Sequence, residues 1–188
     1  MTNAVKANAI TVKQNSDIPV FSFFLKGEDI LKIADISRLR KDSDGVLLGY
    51  QRGEVINHVN EIVTFLDSEK ILFPNAIILA MSSSVTFKKS INTELENQNS
   101  ELGILEIPIE NNNQKPAWIV DGQQRTMALS KCKNPDILVP VIGFISNDIE
   151  VHRSQFLLIN KVKPLPSGLI NELLPSINTV LPASLIRN

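Results

Sequence analysis

The chain has 188 residues, of which 43% are hydrophobic, and this is enough to bury the core of one domain. Its 19 Lys and Arg residues and 20 Asp and Glu residues leave a net charge of −1, so the chain as a whole does not attract a phosphate backbone. A single cysteine, Cys132, excludes an internal disulfide and a cysteine-based metal cluster, and no apolar run approaches the length of a membrane span. These features predict a cytoplasmic protein that makes no contact with a membrane.

Strand-like and helix-like segments alternate in the first half of the chain. Residues 18–25 are rich in β-branched and aromatic side chains, which favours a buried strand, and residues 28–40 have a helical spacing of apolar positions. An amphipathic helix is predicted from Arg52 to about Asp67, because apolar residues recur there at Val55, Val59, Ile62, Val63 and Leu66. The unbroken apolar run at residues 73–82, which opens with Phe-Pro-Asn, is typical of a central strand.

The second half contains shorter segments. Further strands are predicted at residues 85–89, 102–109, 117–120 and 139–146. A short helix is predicted at residues 123–132, and residues 153–161 fit either a helix or a strand. Strands interleaved with helices predict an α/β or α+β domain with a mixed sheet and flanking helices.

One domain is predicted to span residues 18–175. Residues 1–17 are expected to form an N-terminal arm. Residues 176–188 have leucines and isoleucines among prolines, and we expect this C-terminal segment to continue into a part that this sequence lacks. A self-contained C-terminal helix with a short tail is the alternative.

The most informative stretch is WIVDGQQRTM at residues 118–127, where a strand runs directly into polar residues that begin a helix. A helix N-terminus presents unpaired N–H groups, and Gly122 has no Cβ to keep a phosphate away from the backbone. Gln123 and Gln124 add amide donors, and Arg125 adds a planar guanidinium that suits phosphate oxygens. The stretch therefore predicts a nucleotide site.

Asp121 fits this site less simply, because a carboxylate repels a phosphate. It could hold a metal ion, pair with Arg125, or cap the helix by accepting hydrogen bonds from the N–H groups of Gln123 or Gln124. If hydrolysis occurs, Asp121, Gln124 and Arg125 are the candidate catalytic residues, since phosphoryl transfer needs mainly positioning and charge neutralisation. The alternative for the whole stretch is a capped strand-to-helix turn with a surface arginine.

A second polar segment, Tyr50, Gln51 and Arg52, precedes the predicted amphipathic helix. Arg52 could contact phosphate and Tyr50 could stack on a base or ribose, so the segment is expected to form a second wall of the same nucleotide site. Alternatively, Tyr50 fills the edge of the core and Arg52 is exposed.

Two asparagines are further candidates for nucleotide binding. The side-chain amides of Asn75 and Asn160 could orient a base or a phosphate, although both could equally be turn residues. With two histidines and no carboxylate pair at ligand spacing, the sequence predicts no zinc site.

The sequence VDGQQR followed by an apolar helix resembles the signature of the DGQHR-domain family, which is related to DndB-type proteins of DNA phosphorothioation and more distantly to ParB/sulfiredoxin-like domains. Residues 47–84 are similar to the family's YQR block, helix and FPNAIILA strand, and residues 156–174 are similar to its "IN" segment. Gln124 stands where the family usually has histidine, which removes that histidine as a proton carrier. The matching motif residues are Asp121, Gly122, Gln123 and Arg125.

Within the family, the closest likeness is to the DGQHR proteins encoded with deazaguanine DNA-modification systems. This resemblance implies an ATPase that works with a DNA-modifying partner protein in a prokaryotic DNA modification or phage defence system. The implied ligand is ATP or another nucleotide, with Mg²⁺ and direct contact with DNA as open options. Since the sequence has no GxxxxGK[ST] motif, such hydrolysis would not use a P-loop. The alternative is a DNA-binding transcriptional regulator of DndB type without turnover.

Overall fold

The computed structural model describes residues 3–14, 17–36, 53–90, 99–109 and 115–160, apart from the side chains of residues 53–55, 153, 157 and 160. The strands in these residues are β1 (Ala4–Lys13), β2 (Pro19–Lys26), β3 (Ala34–Asp35), β4 (Ile77–Met81), β5 (Thr86–Lys89), β6 (Glu101–Pro108), β7 (Ala117–Asp121) and β8 (Leu138–Ile145). The helices are α1 (Gly27–Ile33), α2 (Gly53–Leu66), α3 (Gln123–Leu129) and α4 (Ile149–Asn160). None of these described helices is long and apolar enough to cross a membrane.

The strands form one eight-stranded sheet in the order β3-β7-β4-β8-β2-β1-β6-β5. The pairs β3/β7 and β4/β8 are parallel, and the other neighbouring pairs are antiparallel. This arrangement confirms the predicted mixed sheet with flanking helices and makes the domain α+β. It also confirms that the apolar run before residue 82 supplies an interior strand, because β4 lies between β7 and β8.

β1 lies within residues 1–17, the segment that the sequence predicts to be an arm. It pairs with β2 from Ala9↔Phe23 to Lys13↔Pro19 and with β6 from Ala4↔Pro108 to Thr11↔Glu101. The first described strand is therefore an interior strand of the sheet. Its buried side chains are small, which makes its alternating pattern weak in the sequence.

Helices cover parts of both faces of the sheet. Helices α1, α2 and α3 pack on one face, where their apolar residues join a large core with residues of all the longer strands. Helix α4 packs on the opposite face, where Phe156 and Ile159 contact a smaller cluster that includes Trp118 and Phe144. Strand β7 is buried on both faces, which explains its continuous apolar sequence.

Several predicted boundaries change in the structure. The helix predicted over residues 28–40 ends at Ile33, because the chain becomes extended at Ala34 and pairs there with β7 as β3. The strand predicted over residues 73–82 begins only at Ile77. The segment that fits either element lies in a helix, α4, as far as Asn160.

Candidate functional site

The DGQQR stretch forms a sharp connection between β7 and α3. The strand ends at Asp121, Gly122 follows with a φ of 94°, and the helix begins at Gln123. This left-handed backbone favours glycine, and a Cβ at this position would lie 3.1 Å from Cγ1 of Ile77. The predicted strand and helix are thus confirmed on either side of the glycine.

Helix α3 is shorter than the sequence predicts. It has seven residues and ends at Leu129, so residues 130–132 lie beyond it. The N–H of Thr126 donates to the carbonyl of Gly122 at 2.8 Å, which is the first regular hydrogen bond of the helix. Because α3 has fewer than two full turns, its dipole is small, and side chains are expected to contribute most to any anion binding at this turn.

Arg125 connects the turn to the neighbouring strand. Its Nη2 donates to the Asp121 carboxylate at 2.7 Å, and its Nη1 donates to the backbone carbonyls of Asn75 at 2.8 Å and Ala76 at 2.9 Å. The side chain of Arg125 is 20% exposed and that of Asp121 is 34% exposed. The guanidinium therefore fastens the segment before β4 to the end of β7.

Of the three roles predicted for Asp121, the structure shows the ion pair with Arg125. Gly122, not Asp121, occupies the N-cap position of α3. In the described part of the chain, the Asp121 carboxylate accepts no hydrogen bond from the N–H groups of Gln123 or Gln124, and it binds Arg125 one helical turn later. The capping role is not observed.

The two glutamines of the turn have different surroundings. Nε2 of Gln123 donates to the carbonyls of Ile119 at 3.2 Å and Val120 at 3.0 Å, so this amide holds the end of β7. The half-buried side chain of Gln124 makes no hydrogen bond with any other described residue, so its amide group retains its full capacity for a ligand.

The sequence does not single out Thr126, although the structure gives it a definite part in the turn. Its hydroxyl donates to the carbonyl of Gly122 at 3.0 Å, and the residue is fully buried. The spacing of four residues between Gly122 and Thr126 is the available sequence signal, because a threonine inside a helix can bond the carbonyl four residues earlier.

Asn75 is the one predicted site residue from elsewhere in the sequence that the described structure brings to the DGQQR turn. It arrives there because β4 lies beside β7, with Ile78 opposite Asp121. It contributes its carbonyl to Arg125, and its side chain is exposed.

Other predicted site residues lie elsewhere or cannot be compared. Tyr50, Gln51 and Arg52 lie outside the described residues, so a wall shared with the turn stays a prediction. Asn160 ends α4, and that helix packs on the face of the sheet opposite α3.

The described residues offer little for metal or thiol chemistry. Across these ranges, no three His, Cys, Asp or Glu residues are grouped so that they could hold a metal ion. Burial raises the pKa of the Cys132 thiol, whose single S–H lies between the carbonyls of Leu129 and Asn134, each 3.2 Å from Sγ. The thiol is therefore protonated near neutral pH and is a poor nucleophile.

A comparison with known families decides the relationship that the motif suggests. A family model named DndB and described as DNA-sulfur modification-associated matches residues 9–171. The chain belongs to the DndB family. The match runs from β1 through α4 and includes the DGQQR turn, and it ties this DndB-family chain to DNA sulfur modification. No curated protein and no solved structure matches the chain. The likeness to the DGQHR proteins of deazaguanine systems and to ParB/sulfiredoxin-like domains stays a prediction.

Proposed function

We propose that this DndB-family chain binds a nucleotide at the DGQQR turn and acts as a nucleotide-dependent component of a DNA modification system. The main support for the proposal is that the side chains of the turn differ in their hydrogen bonding. Arg125 and Gln123 are fastened to backbone carbonyls, whereas Gln124 retains an amide without a partner in the described structure. A rigid turn that presents one uncommitted polar side chain is organised in advance for a ligand.

The remaining hydrogen-bonding groups of the turn suit a phosphate. Gly122 itself is buried against Ile77, so contacts to a phosphate must come from side chains. Arg125 keeps N–H donors beyond the three that bind Asn75, Ala76 and Asp121. The positive charge of Arg125 is partly neutralised by Asp121, which weakens its attraction for an anion. Gln124 must then supply a direct contact.

Hydrolysis of the bound nucleotide is the further part of this proposal. In it, Gln124 would orient the attacking water and Arg125 would stabilise charge on the transferred phosphoryl group, while Asp121 would be the residue to hold a Mg²⁺ ion that neutralises phosphate charge. Tyr50, Gln51 and Arg52 remain the proposed second wall.

The two glutamines provide a matched test by isothermal titration of ATP, GTP and CTP, with and without Mg²⁺. Gln124→Ala should weaken the binding of the preferred nucleotide by about three- to tenfold, because one hydrogen bond to the ligand is lost, and should leave the melting temperature unchanged. Gln123→Ala should instead lower the melting temperature, because it removes the amide that binds Ile119 and Val120. Equal nucleotide affinity in the unaltered chain and in Gln124→Ala would contradict binding at this turn.

Membership of the DndB family is equally compatible with a DNA-binding regulator that has no turnover. A phosphodiester of DNA would then occupy the turn in place of a free nucleotide. Titration of duplex DNA at several salt concentrations separates the two functions, because affinity that depends on phosphate contacts falls steeply as salt rises. Such a fall, together with no release of phosphate from ATP, would support the regulator.

A further inference from the structure

A cavity of about 710 Å³ opens at one end of the strands, and the DGQQR turn lies at the other end. The parallel pair β4 and β8 distinguishes the two ends: Asp121 lies opposite Ile78 near the start of β4, whereas Ile145 at the end of β8 lines the cavity. The cavity is lined mainly by strand ends that the register brings together. These residues are Thr11, Val12, Lys13, Pro19, Phe21, Phe87, Lys89, Asn99, Ser100, Glu101 and Ile145.

Two phenylalanines give the cavity an aromatic wall. The rings of Phe21 and Phe87 have centroids 5.4 Å apart and are inclined at 54°. Phe87 reaches this position because Gly103 has no side chain: a Cβ there would lie 2.6 Å from Cζ of Phe87. Phe21 is almost fully buried, so the partly exposed ring of Phe87 is the aromatic surface available to a ligand.

The charged residues of the cavity favour an anion. Lys13 and Lys89 contribute two positive charges, and Glu101 contributes one negative charge 3.4 Å from the Lys89 amine. Lys13 makes no ion pair with any other residue that the structure describes, so its charge remains available. Asn99 and Ser100 add neutral polar groups beside the lysines.

We infer that this cavity is a second ligand site, which takes a small organic anion of the nucleoside monophosphate class. The phosphate lies between Lys13 and Lys89, and the base lies against Phe87. A volume of about 710 Å³ is in the range of small-molecule sites. The inference does not depend on nucleotide binding at the DGQQR turn, because the two sites lie at opposite ends of the strands and share no residue.

Amide chemical shifts of the ¹⁵N-labelled chain, followed during titration with AMP and with dTMP, test the site directly. Shifts are expected at Thr11, Ser100, Glu101 and Ile145, with only weak effects from inorganic phosphate or from adenosine alone. Lys13→Gln and Lys89→Gln should each weaken AMP binding by at least about fivefold, because each removes a charged contact to the phosphate.

Lys88→Gln is the matched control. Lys88 is the neighbour of Lys89 on β5, and successive side chains of a strand point to opposite faces. Its amine pairs with Glu106 at 2.9 Å, so it should not contribute to the cavity. AMP affinity of the Lys88→Gln variant should equal that of the unaltered chain.

Three results of the AMP titrations would overturn the inference. They are an absence of shifts at the cavity, equal weakening by Lys88→Gln and Lys89→Gln, and equal responses to inorganic phosphate and AMP. Binding of a 5′-phosphorylated oligothymidine at the cavity without binding of AMP or dTMP would also overturn it, because the site would then take the end of a DNA strand. Cavity shifts that persist in Gln124→Ala would separate this site from the one proposed at the turn.

Discussion

The guanidinium of Arg125 makes three hydrogen bonds within its own chain. Its partners, the carbonyls of Asn75 and Ala76 and the carboxylate of Asp121, all lie within 2.9 Å. The sequence predicts the ion pair with Asp121 as one of three options, since a carboxylate beside a phosphate site needs a metal ion, a cationic partner or a capping role. The two carbonyls lie about fifty residues away and depend on the pairing of β4 with β7, so no local pattern indicates them.

Replacing Arg125 with alanine should therefore lower stability even without a ligand. The change leaves a partly buried carboxylate at Asp121 and two carbonyls without donors, which costs about 1–3 kcal/mol and lowers the melting temperature by several degrees. Arg125→Lys should cost less, because one amine keeps the charge but cannot reproduce all three hydrogen bonds. Thermal unfolding of both variants measures this. Melting temperatures equal to that of the unaltered chain would show that the three bonds contribute nothing to the fold.

At the scale of elements, the sequence predicts those parts whose pattern is local. Strand β7 and helix α3 are predicted because an apolar run meets Asp121-Gly122 abruptly, and the left-handed backbone at the glycine gives the physical reason. Helix α1 is predicted too long, because pairing of Ala34 and Asp35 with β7 overrides a helical spacing. Strand β1 is not predicted, because alanines at positions 7 and 9 provide too little apolar contrast.

The interior position of β1 can be tested by introducing a charge on each of its faces. Ala9 is 3% exposed and contributes to the core, so Ala9→Asp should destabilise the chain by about 2–4 kcal/mol, because an unpaired carboxylate is buried. The preceding residue, Asn8, points to the other face and is exposed, so Asn8→Asp should change stability by less than about 0.5 kcal/mol. Urea unfolding of the two variants gives both values. Similar small losses would mean that residues 1–17 form an arm outside the core.

At the scale of the whole molecule, the sheet separates two candidate ligand sites. At one end of the strands lies the turn that the sequence motif predicts. At the other end lies a cavity lined by residues from five strands and by the residues just before β6. The cavity could not be predicted from the sequence, because its lysines at positions 13 and 89 meet only through the order β1-β6-β5. Family membership links the chain to DNA sulfur modification.

Titration of the ¹⁵N-labelled chain with ATP and Mg²⁺ tests the central claim, that a nucleotide binds at the DGQQR turn, most directly. We expect saturable amide shifts at Gly122 and Gln124 and at the side-chain amide of Gln124, and we expect Gln124→Ala to reduce them. Shifts confined to the cavity residues, or no shift at the turn at millimolar ATP, would contradict it.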